Sequence, residues 1–193
     1  MPRATFYCID IECSGPVPVT YDMISLGAVV VRGTAPDLHL GERFYVEMQP
    51  QSAHVDPGAS AVHGLDVEAL RTTGTPRKQA LEQLTAFVQR TCVPGSKPVF
   101  VGHNAPFDWS FVNHAYHSDQ LPNPFGYKAL DTKALAMGIL GVHWFDSSKE
   151  RLQSELGLPE QDTEQTHRAD YDAWYQAHIL VELLRRSPSC AES

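Results

Sequence analysis

The chain has 193 residues, 42% hydrophobic and 20% charged, which fits one globular domain with a full core. Its formal net charge of −8 argues against a broad basic nucleic-acid surface, although bound metal ions would reverse the field locally. No apolar run suits a membrane span, and the N-terminal MPRATFYCIDIE lacks a signal-peptide core, so the expected location is cytoplasmic, with no membrane partner.

In chain order, residues 5–12 (TFYCIDIE) read as the first strand, rich in β-branched and aromatic residues. Residues 24–32 and 42–48 read as two more, with Gly33 to Gly41 as the hairpin between them. Gly27 inside a strand signals a bulge or a close backbone approach. Residues 51–75 form a long loop with short helices near 58–62 and 66–70. Thr75-Pro76 reads as the cap and first position of a helix whose apolar stripe is Leu81, Leu84, Phe87 and Val88. A buried strand follows at 98–102, then a helix over 107–118, a strand near 128–131 and a helix over 132–140. Asp131-Thr132 reads as the end of that strand and the cap of the helix after it. Ser147 and Glu150 fit a capping box for a helix carrying Leu152 and Leu156, ended by Gly157 and Pro159.

The last helix is expected over 168–186. Strands in succession, then strands alternating with helices, predict an antiparallel meander followed by parallel strands. Residues 1–186 read as a single domain and 187–193 as a loose tail. Cys8, Cys13, Cys92 and Cys190 show no zinc-type pairing and read as reduced thiols.

Three segments carry candidate chemistry. In the first strand, Asp10 and Glu12 point to the same face, because side chains alternate with period two. Their Cα atoms are then roughly 6.5–7 Å apart, which suits a hard divalent cation. Taken alone, a solvated edge strand is the favoured explanation of them. The second segment is VGHNAPFDWSF, residues 101–111. Here Asn104 is a cap or a ligand contact, and Asp108 sits in the helix's first turn, where the helix dipole favours an acid. Phe107 and Trp109 beside that acid make a candidate base-stacking platform. The third segment is THRADYDAWYQAH, residues 166–178. His167 and Asp172 would lie ~140° apart on one helix, so His167 must precede the helix that carries Asp172. Lys97, Lys128, Lys133, Lys149 and Arg168 are candidate phosphate contacts or plain surface charges. His103, His114 and His117 do not make a zinc site, because no third ligand accompanies the helical pair.

Together, D-x-E at Asp10 and Glu12, H-N-x-x-F-D ending at Asp108, and H-x-x-x-x-D from His167 to Asp172 resemble the DEDDh family of 3′→5′ exonucleases. The resemblance implies a ribonuclease H-like α/β fold with a five-stranded mixed sheet, three antiparallel strands then two parallel, flanked by helices. It implies two Mg²⁺ or Mn²⁺ ions held by Asp10, Glu12, Asp108 and Asp172, with His167 as general base. It also implies a 3′ end lying over Cys13, Ser14 and Gly15 and lined by Val62, His63, Asn104, Phe107 and Phe125.

Within that family, residues 123–141 and HNAPFDWSF are similar to the ribonuclease T branch, which implies a homodimer. Two of that branch's four stacking phenylalanines match Phe107 and Phe125; the other two positions fall on Pro16 or Val17 and on Val62, which are not aromatic. The proofreading subunit of the bacterial replicative polymerase shares the three blocks. The expected activity is hydrolysis at single-stranded 3′ ends with release of nucleoside 5′-monophosphates, in RNA processing, with DNA as a second substrate. The alternatives are a DNA proofreading or repair exonuclease, or a catalytically silent nucleic-acid binder or polymerase partner.

Overall fold

The structure is a computed structural model and describes residues 3–187. Strand β1 (Arg3–Cys13) lies at the centre of a five-stranded sheet that also contains β2 (Met23–Arg32), β3 (His39–Glu47), β4 (Ser96–Gly102) and β5 (Ala129–Asp131). The order across the sheet is β3-β2-β1-β4-β5. β1 pairs antiparallel with β2, and β2 with β3. β1 pairs parallel with β4, and β4 with β5. The expected mixed sheet, three antiparallel strands then two parallel, is therefore present.

The helices are α1 (Pro57–His63), α2 (Val67–Thr73), α3 (Arg77–Thr91), α4 (Ala105–Ser118), α5 (Thr132–Leu140), α6 (Lys149–Leu156) and α7 (Ala169–Arg185), with a 3-10 turn at Trp144–Asp146. The period-two pattern of β1 divides them between two layers. Tyr7, Ile9, Ile11 and Cys13 pack with Leu81, Leu84 and Phe87 of α3 and Phe111 and Val112 of α4. Cys8, on the opposite face, packs with Ala173, Ala177 and Leu180 of α7. Asp10 and Glu12 share the parity of Cys8 and so belong to the α7 face.

Gly27 is the close approach that the sequence signalled. It lies opposite Asp10 in the β1–β2 register. A Cβ built there would stand 2.1 Å from the carbonyl oxygen of Ala169, so glycine lets the first turn of α7 touch the sheet beside Asp10.

Several local expectations shift. The helix expected from Pro76 begins at Arg77, and Pro76 has no side chain able to cap it. Thr75 instead bonds to Glu47 and Gln49, at the end of the edge strand β3. The cap of α6 is Ser148, whose hydroxyl accepts from the Arg151 amide; Ser147 is buried and donates to the Trp144 carbonyl. α4 starts at residue 105, earlier than the expected 107, with Pro106 in its first turn. Asp131 caps α5 as expected, accepting from the amides of Lys133 and Ala134. Cys8, Cys13 and Cys92 are free thiols. Of the expected tail only Ser187 is described, its amide bonded to the Leu184 carbonyl; Cys190 and the rest of 188–193 lie outside the described residues.

Candidate active site

Asp10 and Glu12 project from the last turns of pleat of β1, and Asp172 from the first turn of α7. Carboxylate oxygens of all three lie within 4.8 Å of one another, and among the described residues this is the one cluster with metal-ligand spacing. An all-oxygen donor set of carboxylates fits a hard divalent cation. His103, His114 and His117 form no such cluster; His114 Nε2 meets the Ser118 hydroxyl, and His103 Nδ1 meets that of Thr132.

Asp108 lies beside the cluster and outside it. Its Oδ1 accepts from the Ile11 amide at 3.2 Å, which ties the start of α4 to β1 between Asp10 and Glu12. Burial and the nearby Asp10 charge hold its carboxyl well above the usual carboxylate range. Burial raises Asp10 to about 7, with Asp172 adding to the rise and Lys149 opposing it. Burial raises Glu12 further, to about 9, helped by Asp10 and Asp172. Crowded acids of this kind stay protonated unless a cation joins them.

His167 precedes α7, as its spacing to Asp172 required. Its backbone is left-handed at φ 63°, and its amide donates to Asp172 Oδ2 at 2.8 Å. The imidazole is exposed, on the rim of a cavity of about 420 Å³ that Lys149, Glu150, Glu160, Thr163 and Asp172 also line. On the other side of the acids, Glu12, Cys13, Gly15, Val62, His63 and Phe107 line a cavity of about 320 Å³. The carboxylates thus separate a largely apolar hollow from a polar one.

His63 has a defined role at the apolar hollow. Its Nδ1 accepts from the Leu65 amide, which places the ring proton on Nε2. That Nε2 is buried and has no partner within the protein, so it is a donor held ready for a ligand. Burial also lowers the pKa of His63, which keeps the ring neutral.

The remaining expected contacts divide. Phe107 lines the apolar hollow with its ring against Phe111. Asn104 caps α4 only by position; its backbone is left-handed, its side chain is exposed and makes no capping bond. Ser14 is corrected: its hydroxyl accepts from the Asp22 amide, and the residue is fully buried, so it closes the 14–22 loop. Phe125 is corrected too. It packs edge-on against Tyr7 and Phe100 in the core, away from the cavity that Phe107 lines. Trp109 likewise turns inward onto Phe100.

Two groups at the cluster were not foreseen as part of it. Lys149 had been read as a phosphate contact or surface charge. Its Nζ lies 2.5 Å from Asp172 Oδ1 and 3.5 Å from Asp10 Oδ1. Burial lowers its pKa, but Asp10 and Asp172 together hold it above the usual lysine value. The signal was a lysine in the first turn of a helix, where the dipole disfavours a cation. Gln176, fully buried, donates from Nε2 to Asp10 Oδ1. It lies four residues after Asp172, on the same helical face, so periodicity alone pointed to it. His103 lies near this group as well; burial, Lys149 and Lys133 lower it to about 3 and keep it neutral.

Comparison with known proteins identifies the family. A family model described as the 3′-5′ exoribonuclease Rv2179c-like domain matches residues 5–184. The Escherichia coli 3′-5′ DNA exonuclease Cap18 is 33% identical over 178 residues, covering 92% of this chain and 90% of that protein. Ribonuclease T of Yersinia enterocolitica is 28% identical over 184 residues, covering 92% of this chain and 83% of that protein. Among solved structures, the nuclease domain of 3′hExo, a DEDDh family member bound to rAMP, superposes with a TM-score of 0.78 at 15% identity. That match covers 94% of this chain and 92% of that one, and at such low identity it speaks to the fold alone.

Proposed function

The chain belongs to the Rv2179c-like 3′-5′ exoribonuclease domain family and is a 3′→5′ exonuclease of the DEDDh type, and on that premise we propose that it hydrolyses single-stranded 3′ ends and releases nucleoside 5′-monophosphates. The observation that carries this reading is the meeting of Asp10, Glu12 and Asp172 between two cavities, with His167 at the rim of one and His63 in the wall of the other.

Two Mg²⁺ or Mn²⁺ ions at these carboxylates would supply charge stabilisation for both the attacking and the leaving oxygen of an in-line displacement. Asp10, Glu12 and Asp172 would hold these ions, and the buried Asp108 beside them would complete the acidic set. His167 takes the proton of the attacking water. Its backbone bond to Asp172 ties the residue to the cluster, and the exposed ring shares a cavity with Asp172. The terminal nucleoside enters the hollow of Cys13, Gly15, Val62 and Phe107, and the Nε2 proton of His63 bonds to an oxygen of it.

RNA is the proposed substrate. DNA is a second reading, favoured by the similarity to a named DNA exonuclease. A homodimer is proposed on the ribonuclease T likeness, and light scattering that returns a monomer mass would remove it. Matched 3′-labelled RNA and DNA oligonucleotides, incubated with Mn²⁺, test the function. Wild type should remove the label, and Asp10→Ala and His167→Ala should not. Equal rates in all three proteins would overturn the assignment.

A further inference from the structure

We propose that Lys149 is an internal counter-cation of the carboxylate cage, which a divalent ion must displace into the adjoining polar cavity before the site is loaded. The proposal rests on the reading that Asp10, Glu12 and Asp172 hold divalent cations. Lys149 thereby becomes a residue that sets how much metal the site requires.

The geometry is specific. The Lys149 ammonium bridges an oxygen of Asp10 and an oxygen of Asp172, two of the three carboxylates whose oxygens lie within 4.8 Å of one another. A cation bound by that trio would need the same oxygens. Two positive centres a few ångströms apart in a buried site repel strongly, so ammonium and dication exclude each other there. The side chain of Lys149 is only 17% exposed, so it is no surface lysine resting on the rim.

The side chain also has somewhere to go. Lys149 is the first residue of α6, and the Ser148 cap fixes its backbone. The same residue lines the cavity of about 420 Å³ that holds Glu150, Glu160, Thr163 and His167. Rotation about the side-chain bonds would carry the ammonium out of the cage toward that cavity, which Glu150 and Glu160 also line. Until a divalent cation arrives, the ammonium is the positive charge that Asp10 and Asp172 share.

The test is Mn²⁺ binding by calorimetry to wild type and to Lys149→Met, which keeps the length of the side chain and removes its charge. Lys149→Met should bind the first Mn²⁺ at least tenfold more tightly. Unchanged or weaker binding would overturn the proposal while leaving the metal reading in place. No binding by either protein would overturn both. Wild type gives a second readout that needs no variant. Amine acylation followed by mass spectrometry should modify Lys149 slowly in EDTA and several-fold faster in Mn²⁺. Equal protection in both conditions would also overturn the proposal.

Discussion

The two walls of the site are built in opposite ways. Asp10 and Glu12 stand at the C-terminal end of β1, paired there with β2 and tied to α4 by the Ile11–Asp108 bond, just past the Arg3–Cys8 stretch that pairs with β4. Asp172 faces them from α7, whose Ala173, Ala177 and Leu180 are fully buried beneath it. His167 and Lys149 belong to the other wall: a 3-10 turn, the eight-residue α6 and a mostly exposed connector over 157–168. The difference teaches a division of labour. On the proposed mechanism, the metal ligands ride on the packed sheet and α7, and the groups that move a proton or a charge ride on a segment with less packing to hold it.

Substitutions can break this comparison. The largest effect is expected on the first wall: Asp10→Asn should lower kcat/KM by more than ~10³-fold with circular dichroism unchanged, because it removes a charged oxygen from the proposed metal cage. On the other wall, His167→Ala should cost ~10²–10³-fold in kcat with Mn²⁺ affinity retained, as removal of a base does. A loss of Mn²⁺ affinity there would show that the connector helps to build the cage, and the division would fail. Gly27→Ala touches no reacting group, yet its Cβ would meet the Ala169 carbonyl. It should shift the start of α7, lower Tm and cost ~10²-fold in kcat/KM, the scale of a misplacement of about 1 Å.

The pH dependence follows from the same crowding. Burial raises Asp10 to about 7 and Glu12 to about 9, against unfolded values of ~3.9 and ~4.3. The folded state therefore binds protons that the unfolded chain has released over that interval. Stability is lost as pH rises through it. Metal-free protein should melt at progressively lower temperature from pH 6 to pH 9, and Mn²⁺ should flatten the decline. The smallest effect concerns the aromatics: Phe107→Leu should raise KM with little change in Tm, whereas Phe125→Leu should lower Tm with KM unchanged, since Phe125 packs on Tyr7 and Phe100.

What the sequence disclosed follows from period and spacing. Strand alternation put Asp10 and Glu12 on one face, and helical rotation separated His167 from Asp172; both are properties of the local chain. Gly27 was legible as a close approach because an isolated strand glycine has few other uses. Phe125 was misassigned because an aromatic that stacks on a base and one that fills a core have the same sequence signature. Ser14 was misassigned because its partner, Asp22, is reached only when the loop closes. Lys149 could not be placed in the cage because it lies 139 residues from Asp10, and only the fold brings the two together.

The central claim is that the β1–α7 carboxylates run a cation-dependent exonuclease that works from the 3′ end. The most direct measurement is the product pattern from a 5′-labelled single-stranded oligonucleotide, resolved at single-nucleotide steps with Mn²⁺ and with EDTA. A ladder that shortens one nucleotide at a time from the 3′ end in Mn²⁺, absent in EDTA and in Asp10→Asn, is the predicted result. Immediate loss of the 5′ label as a mononucleotide, or the same ladder from Asp10→Asn, would contradict it.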